Sequence, residues 1–510
     1  VGQVKTRLPH LAAAAAIALL LSGCQLLPFA QQTPAPNPTT SDAFYEQTLN
    51  WKNCGDGLQC AMAKAPVDWD SPADGAIELS LVKHLATGTK QGSMLLNPGG
   101  PGGSGGDFVY YSGDTVAGAS VVGAFDIVGW DPRGVGKSTP VTCYTNDADK
   151  DEQLYGTFDS PYDTQGWIDE LTTEMTEFAA ACKKNTGELL GNLDAASNAK
   201  DMDMLRAVLG EKKLNYLGYS YGTYFGAVYA ELFPQNVGRF VLDGAVDPLQ
   251  TDFESLKFQM AGFDSGLRAY MADCLTGSDC PFTGSVDEGL AQVRTALDTV
   301  DAQKLVNDDG RTLDSATLAT AIIENLYSQS YWSTLSQMFA TLRTGDVALT
   351  FQSADDYNQR GAGGSYDSNG NDVYIAATCA DGDFASDPET TLERIAEIDA
   401  AAPILGKYAT YDDFAVLDTA CTHWPYPRGA DLPTTFEAKG AGPILVLGTT
   451  NDPATPYASS VSLAKQLSSG VLISYTGEGH TVYNQGVACI DDVVDAYFVN
   501  GTVPASDPNC

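Results

Sequence analysis

Histidine is nearly absent from this chain: His10, His84, His423 and His480 are all there is in 510 residues. Any reaction that needs an imidazole near neutral pH must draw on that short set. Cations are scarce as well, with 28 Lys and Arg against 65 Asp and Glu, a formal net charge of −37. The acids are scattered among many aromatics, which describes a solvated surface and not a disordered acidic tail. Such a surface repels nucleic acid and anionic lipid headgroups, and it favours cationic ligands such as free peptide amines. No two of the eleven cysteines have C-x-x-C spacing, so with so few histidines no metal site is expected. No cofactor is expected either. Internal repeats are missing, and beyond residue 23 no apolar run is long enough to cross a bilayer. The chain is too long for one ordinary core, so an insertion or second domain is expected.

What is present starts with residues 218–222, G-Y-S-Y-G, set between the apolar run Leu214-Asn215-Tyr216-Leu217 and a helical pattern. G-x-S-x-G marks a nucleophile elbow, in which a strand turns sharply into a helix and holds a serine hydroxyl above the sheet. Apolar residues at Tyr221, Tyr224, Phe225, Val228, Tyr229 and Leu232 then form one helical stripe, which Pro234 ends. Ser220 is the candidate nucleophile, and it needs a general base. His10 lies in a segment expected to be removed, and His84 sits in the alternating run I-E-L-S-L-V-K-H-L. His423, beside a cysteine and a tryptophan in C-T-H-W-P, suits a packed structural role. His480 follows the apolar run Val471-Leu472-Ile473-Ser474-Tyr475 near the C-terminus, where the base belongs in the chain order Ser, Asp or Glu, His. Asp452 is the only carboxylate in T-T-N-D-P-A-T-P, directly after the buried-strand pattern P-I-L-V-L-G. Its role would be to fix the imidazole tautomer and stabilise the imidazolium. Asp131, Asp243 and Asp247 also follow apolar runs, but chain order favours Asp452.

The oxyanion hole is expected from N-P-G-G-P-G-G-S-G-G at 97–106, with the N–H groups of Gly100 and Tyr221 as donors. Two nucleotide-binding patterns compete and fail. Gly100-x-Gly102-x-x-Gly105 is a match that so glycine-rich a run nearly guarantees, and Pro101 lies inside it. G-V-G-K-S at 134–138 has Asp131 where a phosphate loop requires glycine.

Taken together, G-Y-S-Y-G-T, N-P-G-G-P-G-G-S-G, F-D-I-V-G-W-D-P-R-G-V-G-K-S, N-D-P-A-T-P and G-E-G-H resemble the exported tripeptidyl-aminopeptidase group of α/β-hydrolases. These are actinobacterial relatives of proline iminopeptidase. The resemblance runs from about residue 50 to the C-terminus. It departs at one point: P-G-G-P-G at 98–102 stands where proline iminopeptidases have H-G-G-P-G, which leaves the backbone donors intact. It implies an α/β-hydrolase fold and hydrolysis near the free N-terminus of peptides, with ester hydrolysis as a side activity. A carboxylesterase or lipase with the same triad, or a catalytically silent surface-binding homologue, are the competing readings. An intact triad argues against the silent one.

The pattern divides the chain further. Strands alternating with helices over 49–248 read as a mostly parallel sheet flanked by helices. Residues 249–425 read as a mainly helical cap, and 426–510 return to the core with the acid and the base. Lys5 and Arg7, an apolar stretch from Leu11 to Leu21 and L-S-G-C at 21–24 read as a signal peptide over 1–23. It resembles a bacterial lipobox, with a lipid on Cys24 and the protein anchored to the outer face of the cell membrane through that lipid alone. A Pro/Thr-rich tether is expected over 24–48. The other ten cysteines suit disulfides in an oxidising compartment. Cys54–Cys60 and Cys274–Cys280 are close enough to pair locally. Cys143–Cys182, Cys379–Cys421 and Cys489–Cys510 are the remaining assignments, although spacing alone does not dictate them. An exopeptidase must hold a substrate ammonium at a set distance from the scissile carbonyl, and a desolvated carboxylate from the cap would do so. In T-C-A-D-G-D (378–383), pinned if Cys379 is bridged, Asp381 is the first candidate.

Overall fold

The apolar runs that precede Ser220, Asp452 and His480 lie with the alternating run of His84 in one nine-stranded sheet of the computed structural model, which describes residues 37–384 and 386–510. A hairpin that the pattern did not announce comes first, β1 (Lys52–Gly55) and β2 (Leu58–Pro66). The expected strands follow: β3 (Ala76–His84), β4 (Gly92–Asn97), β5 (Phe125–Trp130), β6 (Leu214–Tyr219), β7 (Val237–Asp243), β8 (Ile444–Asn451) and β9 (Gly470–Glu478). The sheet order is β1-β2-β3-β5-β4-β6-β7-β8-β9. The first three strands pair antiparallel and the rest run parallel. Every residue of β4 and β5 is buried, because helices cover both faces of a parallel sheet. In this register Asn97 lies beside Gly218, and Tyr219 beside Asp243. The carboxyl ends of β4, β6, β7 and β8 therefore open on one edge, where α/β sheets place their ligands.

Between β7 and β8 the regular elements are helices, from Asp252–Cys274 to Phe414–Thr422. The chain has no way to extend the sheet there, since its apolar residues recur at helical spacing, as in Ala316, Ala319, Ile322, Ile323 and Leu326, all buried. The five expected cysteine pairs are joined: Cys54–Cys60, Cys143–Cys182, Cys274–Cys280, Cys379–Cys421 and Cys489–Cys510. Cys379–Cys421 ties two cap helices together, Gly370–Asp381 and Phe414–Thr422. Closing loops of 6 to 42 residues constrains the unfolded chain by about 2–4 kcal/mol each.

The expected signal peptide, Cys24 and most of the tether lie outside the described residues. Where the tether is described, it ends sooner than the expected residue 48. Ser41–Tyr45 is a helix capped by Thr40, and Phe44 is fully buried near Trp69. One aromatic in a polar stretch carried that anchoring, and composition alone hid it.

Candidate active site

Ser220 joins β6 to the helix Tyr221–Leu232 with φ 53° and ψ −127°, a left-handed φ that a non-glycine residue holds only under constraint. The constraint is local. The Ser220 N–H donates to the Asp243 carbonyl at 2.9 Å, and the Ser220 carbonyl accepts from the Thr223 N–H at 2.8 Å and its hydroxyl at 2.6 Å. The flanking glycines leave no room for anything larger. A Cβ at position 218 would lie 2.6 Å from the Gly222 carbonyl oxygen, and one at 222 would lie 2.7 Å from Asn97 Oδ1. The serine hydroxyl caps no helix N–H. It is left for chemistry.

His480 Nδ1 lies 2.9 Å and 3.0 Å from the two carboxylate oxygens of Asp452. Asp452 is 3% exposed and accepts further bonds from the N–H groups of Ala454 and Thr455, at 3.0 and 2.9 Å, and from the Thr455 hydroxyl. Its carboxylate is thus aimed before the imidazole arrives. Burial by itself would lower the pKa of His480, but the charge and hydrogen bond of Asp452, with a smaller share from Asp243, outweigh it and raise the imidazole above its usual value. Among the described residues Nε2 is buried and has no hydrogen-bond partner, so it is not occupied by another group. The other described histidines are engaged elsewhere: His84 Nε2 meets Asp114 at 2.8 Å, and His423 Nδ1 meets the Thr419 carbonyl at 2.9 Å.

The glycine run packs against the elbow. Gly99 and Gly100 have φ 98° and 112°, and a Cβ on Gly99 would lie 2.6 Å from the Tyr219 carbonyl and 2.9 Å from Ser220 Cβ. Gly100 and Tyr221 both line the cavity at Ser220. Tyr221 opens its helix, so its N–H has no partner in the helical ladder. The end of the run is clamped by Asp131, which accepts from the Ser104 hydroxyl at 2.5 Å and from the N–H groups of Gly106 and Lys137 at 3.0 and 2.9 Å. Lys137, the lysine of the rejected phosphate-loop pattern, pairs with Asp107 at 2.5 Å.

The family model for TAP-like proteins matches residues 407–510. Serine protease Hip1 of Mycobacterium tuberculosis is 35% identical over 521 residues, covering 98% of this chain and 96% of that protein. The chain belongs to the TAP-like α/β-hydrolases. Carboxylesterase B of Mycobacterium tuberculosis is 34% identical over 519 residues, covering 99% and 98% of the two chains. Tripeptidyl aminopeptidase of Streptomyces lividans is 30% identical over 477 residues, covering 91% and 86%. This TAP-like protein is a serine hydrolase, and its relatives' names divide over whether the bond cut is an ester or a peptide.

Two cavities of the TAP-like hydrolase open from Ser220, of about 210 and 270 Å³, sharing Gly100, Gln259 and Tyr374 in their walls. The smaller contains Asp381, where the sequence places the amine receptor. Its two oxygens, however, already accept the Ala195 N–H at 2.7 Å and the Tyr221 hydroxyl. Burial, against the opposing Tyr221 hydrogen bond, pushes its carboxyl up to about 8. Asp381 therefore carries mostly a proton at neutral pH and braces Tyr221. The larger cavity is walled by Met260, Phe263, Ile323, Tyr327 and Tyr357, and Asp413 is the one Asp, Glu, Lys, Arg or His in its lining. Asp413 Oδ1 accepts the Tyr374 hydroxyl at 2.7 Å, and burial pushes the carboxyl up to about 6.

Sequence reasoning missed Asp413 and Tyr327. The Tyr327 carbonyl accepts the His480 N–H at 2.9 Å, and its ring stands edge-on to the imidazole at 5.6 Å. Both residues come from cap helices whose return to the sheet leaves no mark in local pattern.

Proposed function

We propose that this TAP-like hydrolase is a lipid-anchored, extracytoplasmic serine exopeptidase that releases short pieces from the free N-terminus of peptides. Ser220 attacks the scissile carbonyl while His480 Nε2 takes its proton, and Asp452 holds the imidazole tautomer and stabilises the imidazolium. The N–H groups of Gly100 and Tyr221 receive the oxyanion. His480 then protonates the departing amine, and water, deprotonated by the same imidazole, frees the acyl piece from Ser220.

The observation that carries the exopeptidase reading is Asp413. A carboxylate with no counter-cation, in a tyrosine-walled cavity that begins at the nucleophile, is costly until a cation arrives. A substrate ammonium supplies one, and tyrosine faces add cation–π attraction. Asp413, in place of Asp381, is therefore the proposed amine receptor. The cavity's volume of about 270 Å³ would limit how many residues fit beyond Ser220.

Chromogenic mono-, di- and tripeptides with free and acetylated N-termini, assayed beside short- and long-chain esters, test this. The free-amine peptides should be preferred, and Asp413→Asn should raise their KM by roughly 10–100-fold, the worth of a charge-assisted hydrogen bond. Short esters should be almost unaffected. Equal cleavage of acetylated peptides would remove the need for any amine receptor. Turnover of esters alone would favour the second reading, a carboxylesterase, for which the resemblance to carboxylesterase B speaks.

The lipid anchor rests on Lys5, Arg7, the apolar stretch and L-S-G-C. Cys24→Ala should shift the protein from the membrane fraction to a soluble or unprocessed form with its specific activity intact. Retention of the alanine variant on membranes would contradict the anchor.

A further inference from the structure

Asp243 ends β7 and serves two parts of the site at once. Its carbonyl accepts the Ser220 N–H at 2.9 Å. Its fully buried carboxylate accepts the N–H of Val482 at 3.0 Å and of Tyr483 at 2.8 Å. These are the second and third residues after His480.

The loop that carries His480 needs holding. Gly479 has φ 99°, and Thr481 and Asn484 both have φ 64°, a left-handed region that side chains other than glycine's disfavour. Upstream, the His480 N–H is held by the Tyr327 carbonyl, and the Thr481 N–H by Asp452 at 3.3 Å. Downstream, the acceptor is Asp243. The backbone after it abuts the imidazole: a Cβ on Gly244 would lie 3.1 Å from His480 Cε1. Asp243 is fully buried and lines neither cavity.

We infer that Asp243 is a positioning residue that ties the loop of the base to the strand beside the nucleophile, holding His480 in register with Ser220 and helping to retain its proton in the transition state. The inference rests on the triad reading. A neutral side chain of the same shape would fill the space, and its amide oxygen in the place of Oδ2 could accept both N–H groups, but its NH2 in the place of Oδ1 would face the Val482 N–H, a donor 3.2 Å from that oxygen. The charge also matters at a distance. His480 is faced by the carboxylates of Asp452 and Asp243, the Thr455 hydroxyl and the Tyr327 ring. Asp243 is faced by His480, Asp452 and Tyr219. No lysine or arginine is among these groups. Deleting the Asp243 charge therefore leaves His480 with one carboxylate in place of two.

The test is Asp243→Asn in the whole enzyme, followed on a single ester or peptide substrate across pH. We expect kcat to fall roughly 10–100-fold with KM within about threefold, since the lost charge and the NH2 set against the Val482 N–H disturb the base and not the substrate. The acid limb of kcat/KM should move to lower pH, because removing a negative neighbour lowers the imidazole pKa. Asp243→Glu keeps the charge but displaces it, so it should restore the limb towards the wild-type position while kcat stays low. It also carries the test should the asparagine variant fail to fold. A readout independent of activity is available because histidine is so scarce: the His480 proton resonance can be titrated directly, and its midpoint should fall in Asp243→Asn. An acid limb and a His480 titration unmoved in Asp243→Asn, or KM rising as much as kcat falls, would overturn the inference. Turnover that survives Ser220→Ala would instead defeat the triad on which it stands.

Discussion

Ser220→Ala should lose turnover by roughly 10⁶-fold while keeping its fold and its thermal transition, and His480→Ala should lose about as much. The reason is geometric. The Ser220 hydroxyl is the one side-chain group that the elbow presents to both cavities, and His480 Nε2 is a buried nitrogen with no other partner. Asp452→Asn should cost less, about 10⁴-fold, because the imidazole remains but its tautomer is no longer held. The effects should not add. A Ser220→Ala/His480→Ala double variant should be no slower than either single one, since each acts only through the other. The measurement is kcat on a free-amine tripeptide anilide, with a covalent serine probe followed by peptide mapping. Labelling at a serine other than Ser220, or near-normal turnover in His480→Ala, would refute the assignment.

Gly99→Ala should cost about 10²–10³-fold in kcat although residue 99 is neither nucleophile, base nor acid. Its φ of 98° disfavours any side chain, and an added methyl would meet the Tyr219 carbonyl at 2.6 Å and the Tyr221 nitrogen at 3.0 Å. Something must move, and both neighbours belong to the elbow. The glycine run would be pushed away from Ser220, carrying the Gly100 N–H out of reach of the oxyanion. Substrate binding through the cap should suffer less, so kcat should fall much further than KM rises. A loss confined to KM would show that the run shapes the substrate cavity and not the oxyanion hole. Gly113→Ala is a suitable control, because that glycine also has a positive φ but nothing within 4 Å of an added Cβ.

Local pattern was enough for much of this protein. Buried parallel strands leave near-continuous apolar runs, so β4 to β9 were legible one by one, and the antiparallel β3 through its alternating pattern. The elbow was legible because its turn admits only glycine at 218 and 222, a requirement of backbone geometry that survives in sequence as G-x-S-x-G. His480 was legible through scarcity, and Asp452 through its place after a buried strand. The strands β1 and β2 were not announced, because the four-residue β1 buries nothing and the inward positions of β2 are mostly alanine, Ala61, Ala63 and Ala65, which marks a strand weakly.

Tertiary structure decided what the other carboxylates do. Asp243, Asp381 and Asp413 are the same residue type as Asp452, and nothing in their local sequence separates their tasks. Folding gives Asp452 an imidazole, Asp243 the two N–H groups beyond it, Asp381 a tyrosine hydroxyl and a helix N–H, and Asp413 an aromatic cavity without a cation. These differences come from partners between 28 and 240 residues away or on the far side of the cap. A carboxylate's charge state and task depend on burial and on which donors face it. Those are properties of the folded neighbourhood, and no spacing along the chain encodes them.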